Sequence, residues 1–285
     1  MLVNSYEILK HAQDNKYGVG AFNVNNMEIA QAVINAAEAL NAPVILQVTQ
    51  GAIKYAGIEY ISSIAQLAAN KASVPVALHL DHGTDFEIIM ECLRNGFTSV
   101  MIDGSKFPLE ENIEKTKKVV EIAHAMGVSV EGELGKIAGT EDQVHVEAKD
   151  AAYTDPQEAK RFYEETNVDA LAIAVGTAHG VYKGEPKIDY DRISEIRAVV
   201  DCPLVLHGSS GVPYEALTKA VSLGICKINI DTDIRMAFAN SVRKFLDENP
   251  NEYDPRKILG PSREAMQAVV EEKIKVFKSD NKAWK

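Results

Sequence analysis

The stretch Val76-Ala77-Leu78-His79-Leu80-Asp81-His82-Gly83 decides how the chain reads. Its first five residues, 76–80, form a short and nearly continuous apolar run. That is the pattern of a parallel strand covered on both faces. The run ends in two histidines, an aspartate and a glycine. Working outward, the same kind of unit recurs at 19–24, 44–48, 99–102, 129–133, 170–175, 204–207 and 227–230. With 76–80 these make eight candidate strands, and longer stretches of helical periodicity separate them.

The helical stretches carry recognisable ends. Asn4 followed by Glu7 is a capping-box pattern, opening a short helix expected to lie across the bottom of the fold. Residues 27–40 place Ile29, Val33, Ala37 and Leu40 on one face, and Pro43 follows. Helices over 86–95, up to 126 and over 214–223 each stop at a glycine: Gly96, Gly127 and Gly224. Pro156 suits the first turn of a helix running to Thr166. A C-terminal helical extension is expected over 234–249 and 261–278.

Eight alternating strand–helix units predict a TIM-type (β/α)8 barrel, and 285 residues suit one such α/β domain over 1–285. The alternative is an open doubly wound sheet. A dinucleotide-binding sheet would want GxGxxG after its first strand, where Asn23-Val24-Asn25-Asn26 stands instead. The connection 134–154, with Gly135 and Gly139, reads equally as a solvated loop or as a lid over a barrel mouth.

Composition narrows the function. A net charge of −11 argues against nucleic-acid binding. The cysteines, Cys92, Cys202 and Cys226, form no CxxC pair and suggest neither a disulfide framework nor a thiolate metal site. The opening residues lack a signal-peptide pattern, and no apolar run reaches the roughly 18 residues of a membrane span. A cytoplasmic enzyme without membrane attachment is the expectation.

Barrel enzymes place their chemistry at the C-terminal ends of the strands. There the sequence puts Asn23, Thr49, His79-Leu80-Asp81-His82, Asp103, Glu133, His179-Gly180, His207-Gly208 and Asn229-Ile230-Asp231-Thr232. The chain has seven histidines, and His79, His82, His179 and His207 all fall at these ends. Imidazoles converging beside carboxylates point to a divalent metal such as zinc, cobalt, iron or manganese. Strict alternation puts His79 and Asp81 on one side and His82 on the other, leaving open which histidine of this strand binds. Gly208-Ser209-Ser210-Gly211 and 229–232 follow strands seven and eight, where barrels commonly hold phosphate. Lys183 can add positive charge. No lysine lies in or at the C-terminal end of strand six, and Lys227 opens strand eight at the opposite end. An imine mechanism therefore lacks its amine, and a metal must polarise the carbonyl.

Together, Ala21-Phe22-Asn23, Leu78–Gly83, Ser99–Asp103, Val130-Glu131-Gly132-Glu133-Leu134-Gly135, Gly176–Gly180, Leu206–Gly211 and Lys227–Thr232 resemble the class II, metal-dependent ketose-bisphosphate aldolases over essentially the whole chain. The resemblance implies that His82, His179 and His207 hold a catalytic Zn2+, with Co2+ or another divalent ion as a substitute. It implies that Asp103 and Glu133 orient those ligands or catch the metal in an alternative position. Asp81 would exchange a proton with the ketose C4 hydroxyl, and Glu141 would move protons on dihydroxyacetone phosphate. Asn23, Thr49, Gly180, Lys183, Gly208, Ser209, Ser210, Asn229, Ile230, Asp231, Thr232 and Arg235 would contact the substrate. Arg256 would reach the second phosphate from a neighbouring subunit, which requires a homodimer or homotetramer. A monovalent cation, Na+ or K+, is implied beside the phosphate.

The expected reaction is zinc-dependent cleavage of fructose 1,6-bisphosphate to dihydroxyacetone phosphate and glyceraldehyde 3-phosphate. Gly208-Ser209 replaces the Gly-Gly common in fructose-bisphosphate members, which keeps tagatose 1,6-bisphosphate or a related ketose phosphate as the alternative. The run 229–235 resembles the fructose branch. A metal-dependent barrel hydrolase would carry His-x-His on strand one, and 19–24 holds no histidine.

Overall fold

A computed structural model describes residues 1–141, 144–147, 151–182, 184 and 186–284, with the backbone alone described at 140, 141 and 144–146. Eight parallel strands close a barrel: β1 (Val19–Asn23), β2 (Val44–Thr49), β3 (Val76–Gly83), β4 (Ser99–Ile102), β5 (Ser129–Leu134), β8 (Ala170–Ile173), β10 (Leu204–Leu206) and β11 (Ile225–Ile230). Between β5 and β10 lie three short strands outside the barrel, β6 (Ala138–Glu141), β7 (Val144–Val146) and β9 (Ala178–His179). The helices are α1 (Ser5–Asn15), α2 (Met27–Ala39), α3 (Gln50–Ala56), α4 (Ile58–Lys71), α5 (Phe86–Arg94), α6 (Leu109–Ala125), α7 (Pro156–Thr166), α8 (Tyr190–Arg197), α9 (Tyr214–Ser222), α10 (Thr232–Glu248) and α11 (Pro255–Val276). Among the described residues, no helix is long and apolar enough to cross a membrane.

Alternation along the strands sorts the core into two. Outward side chains such as Phe22, Leu46, Leu78, Val130, Leu171, Leu206 and Ile228 pack against the helical ring. Inward ones, including Ala21, Ile45, Ala77, Ala170, Ala172 and Val205, form a second cluster with Ile8, Leu9 and Ala12 of α1. The first helix therefore plugs the barrel's lower end. Its N-cap is the expected Asn4, whose side chain accepts from the Glu7 backbone N–H at 2.9 Å.

The structure corrects the expected helical boundaries in two places. The last helix begins at Pro255, with Asp254 accepting from the Arg256 N–H, and Pro261 stands inside it. Pro261 forfeits only a bond near the helix start, while Met266, Val270 and Ile274 are fully buried beyond it and hold the helix in place. The preceding helix starts at Thr232 rather than at 234. The connection 134–154 is also not a plain loop. It folds back as an antiparallel hairpin of β6 and β7, and β6 then pairs in parallel with β9, Ala138 opposite Ala178 and Gly139 opposite His179. Gly139 has φ +106°, and a Cβ there would collide with the His179 backbone, so this close pairing needs glycine.

Candidate active site

The polar side chains converge at the upper end of the barrel. His82, His179 and His207 each bring one ring nitrogen within 4.8 Å of the others. His82 also groups in this way with Asp103 and Glu133. His82 gets there through a local break in alternation. On β3, Leu80 pairs with Val100, but the next pair is Gly83 with Ile102, so β3 holds one residue more than β4 across this step. His82 carries the extra turn with a left-handed φ of +49°. Asp81 and His82 thus both serve the mouth, although strict period two would set them on opposite faces. His79 lies lower in the interior, fully buried against Ser99 Oγ at 2.7 Å.

Two carboxylates set the imidazoles' outer nitrogens. His82 Nδ1 lies 3.0 Å from Asp103 Oδ2, and His207 Nε2 lies 2.8 Å from Glu131 Oε1. Each carboxylate accepts the outer N–H, so the inner nitrogens present lone pairs. Those nitrogens, His82 Nε2 and His207 Nδ1, face each other at 2.9 Å. Opposed lone pairs repel, and a cation between them removes the repulsion. The donor set therefore fits a borderline metal such as zinc.

Electrostatics agree with this arrangement. Burial holds His207 below the usual imidazole range, against the opposing effect of Glu131, which favours a neutral ligand. Burial acts to raise Asp103, but its hydrogen bonds with His82 and Ser105 outweigh this and hold the carboxyl well below the usual range. Glu133 Oε2 sits 3.9 Å from Nδ1 of both His82 and His207.

Asp81 stands beside the cluster, fully buried. Three amides donate to it: Asn23 Nδ2 at 3.2 Å, Gln47 Nε2 at 2.9 Å and Asn229 Nδ2 at 3.1 Å. Gln47 also donates to Asn23 Oδ1 at 2.6 Å. The carboxylate is thereby held in one orientation by side chains from β1, β2 and β11.

The loops after β10 and β11 form a glycine- and hydroxyl-lined corner. Gly208 has φ +61°, and a Cβ there would meet the Ala178 backbone oxygen at 2.5 Å, so only glycine allows this approach. Ser209 is buried and donates to Leu206 O at 3.2 Å. Ser210 Oγ accepts from the N–H groups of Asp231 and Asp233 at 3.2 and 3.3 Å, tying the corner to the start of α10. Asp231 pairs with Arg235 at 2.6 Å. Tyr182 bridges the neighbouring loops, its hydroxyl accepting from Ala178 N and donating to Gly208 O, both at 2.7 Å. Gly180 lies next to His179 with φ +88°. Ile230 packs into the outer core, so only its backbone can face a ligand.

The other expected residues have different partners, although Thr49 pairs with Asp81 in the backbone register of β2 with β3. Thr49 ends β2 and caps α3, accepting from Ala52 N at 3.2 Å. Arg235 lines a cavity of about 390 Å³ with Asn25, Asn26, Tyr55 and Phe238. Arg256 is 88% exposed and pairs with Asp254. The backbone of Glu141 ends β6, two residues beyond the Gly139–His179 pair. Lys183 lies outside the described residues. Sequence reasoning gave no role to Gln47, Glu131, Tyr182 or Lys227. Period two could have found the first two, since Gln47 precedes Thr49, and Glu131 precedes Glu133, by one inward step.

A closed parallel barrel with three imidazoles and a held carboxylate at its C-terminal mouth has the layout of a barrel enzyme whose donor set could hold a metal. The family model for fructose-bisphosphate aldolase class-II matches residues 3–282. A fructose-bisphosphate aldolase of Thermus caldophilus is 49% identical, with 99% of this chain and 100% of the relative covered. A sulfofructosephosphate aldolase of Alkalicoccus urumqiensis is 45% identical, with 99% and 98% covered. The crystal structure of the YdjI aldolase from Escherichia coli K12 superposes with a TM-score of 0.88 at 38% identity, covering 100% of both chains. The chain belongs to the class II fructose-bisphosphate aldolases and is a lyase.

Proposed function

We propose that residues 1–285 act as one barrel domain, in the cytoplasm, to cleave fructose 1,6-bisphosphate reversibly to dihydroxyacetone phosphate and glyceraldehyde 3-phosphate. The observation that carries this reading is the three-imidazole cluster with Asp81 held beside it by three amides.

A zinc ion, when bound, polarises the ketone carbonyl and stabilises the negative charge that develops beside it. His82, His179 and His207 would hold the ion, and Asp103 and Glu131 would keep two of these rings in the binding tautomer. Glu133, 3.9 Å from Nδ1 of both His82 and His207, would orient them or catch the metal in an alternative position. Asp81 takes the proton of the C4 hydroxyl as the C3–C4 bond breaks and returns it in the condensation direction. Asn23, Gln47 and Asn229 aim its carboxylate. Glu141 moves protons on the three-carbon fragment, a role for which the pairing of Gly139 on the same strand with His179 is the support. Backbone N–H groups of Gly208–Ser210 and 229–232, at the start of α10, take the first phosphate, with a monovalent cation, Na+ or K+, beside it. Thr49, Gly180, Lys183 and Arg235 complete the substrate's surroundings. Arg256 of a neighbouring copy takes the second phosphate in a homodimer or homotetramer, a reading its exposure supports.

The epimer tagatose 1,6-bisphosphate has no better support than fructose. The test is kcat/KM on fructose 1,6-bisphosphate, tagatose 1,6-bisphosphate and the sulfofructose phosphate that the Alkalicoccus relative's name points to. Fructose 1,6-bisphosphate is expected to lead. Equal or reversed preference would sink the assignment of the sugar while leaving the lyase intact.

A further inference from the structure

Beneath the mouth runs a column of buried polar side chains that the proton transfers above do not use. Lys227 points into the barrel from β11, its Nζ 2.9 Å from Glu131 Oε2 and 3.4 Å from His79 Nε2. All three side chains are at most 2% exposed. Below them His79 Nδ1 meets Ser99 Oγ at 2.7 Å, Ser99 meets Ser5 at 2.7 Å, and Ser5 meets Ser129 at 2.8 Å. Above them the other oxygen of Glu131 holds His207 Nε2 at 2.8 Å. The bonds thus run unbroken from the first residue of α1 to the imidazole cluster.

A buried lysine–glutamate pair is a costly way to fill a barrel. Apolar side chains of the same volume would serve stability as well or better. What the pair supplies is direction. The ammonium pins one carboxylate oxygen, and the second is then aimed at His207 Nε2. We propose that Lys227 is a positioning residue for the metal: it anchors Glu131, which holds His207 as the Nε2–H tautomer with Nδ1 turned to the metal. The inference rests on the reading of His207 as a ligand.

The test measures zinc affinity of the intact protein by competition with a chromophoric chelator, alongside the melting temperature of the zinc-free form. Lys227→Met strands the Glu131 carboxylate without its cation. It is expected to lower the zinc-free melting temperature and to weaken zinc by about 10–100-fold, the usual scale for losing a ligand's outer partner. Adding Glu131→Gln removes the stranded charge, so the melting temperature should recover. Zinc should stay weak, because an amide can accept from or donate to His207 and fixes neither tautomer. Recovery of both stability and parent-like zinc affinity in the double variant would overturn the proposal and leave the column a packing element. If Lys227→Met does not fold, the double variant and Glu131→Gln alone carry the test. His207→Ala separates the two failures. Unchanged zinc affinity there removes His207 from the ligand set, and the inference with it. Loss there, with parent-like affinity in the Lys227 variants, overturns the inference alone.

Discussion

The lower and upper halves of the barrel interior are built from the same strands, yet they differ in their main chemistry. Below, Ala21, Ile45, Ala77, Ala170, Ala172 and Val205 meet Ile8, Leu9 and Ala12 of α1 in an apolar plug, beside which the Ser5–Ser99–Ser129 column runs. Above, two residues further along the strands, Asn23, Gln47 and His79 replace them, and Asp81 follows two residues beyond His79, all buried. The apolar half closes the fold through area removed from water. The polar half forgoes that gain and holds its groups through hydrogen bonds that fix direction. The expected division is that the lower half answers for stability and the upper half for chemistry.

Four experiments can break or sharpen this division. The largest effect is expected from removing metal with a chelator. Cleavage should cease, zinc or cobalt should restore it, and the fold should persist; borohydride should trap no lysine adduct with dihydroxyacetone phosphate. Labelling of a lysine would overturn the metal mechanism. Next is Asp81→Ala, which should lower kcat by about 10²–10⁴-fold, the usual contribution of an acid–base group, with zinc content unchanged. Full activity would remove Asp81 from its role. In the lower half, Leu9→Ala should cost about 2–5 kcal/mol in denaturant unfolding, with kcat per folded molecule unchanged. A fall in kcat without loss of stability would break the division from below. The smallest effect is expected from Thr49→Ala, about 1 kcal/mol from the lost α3 cap. Its KM sharpens the boundary, since a raised value makes Thr49 a substrate contact as well as a cap.

Much of this was legible in the chain itself. All eight barrel strands were, because burial on both faces leaves an apolar signature that survives without context; 99–102 matches the observed strand to the residue. The polar ring was legible because strand ends mark the mouth. The choice between His79 and His82 was not, because alternation assumes an unbroken strand and the extra residue in β3 breaks it. The Lys227–Glu131 pair was also hidden. Those residues lie on β11 and β5, which the barrel order separates by β10 and β8. Only closure of the barrel brings them face to face. The hairpin escaped because β7 is 3 residues long, too short for periodicity to register.

The extra residue in β3 behaves like a frameshift within a strand. Deleting one residue between Leu80 and Gly83 would give β3 and β4 equal lengths across this step. The residue removed would be Asp81 or His82, so the mouth would lose either the held carboxylate or the ring beside His179 and His207. A comparison of barrels by strand count or superposition would score the two proteins alike, although only one of them would have both. The gathering of the carboxylate and the imidazoles thus hangs on one extra residue in one strand, a single codon of the gene.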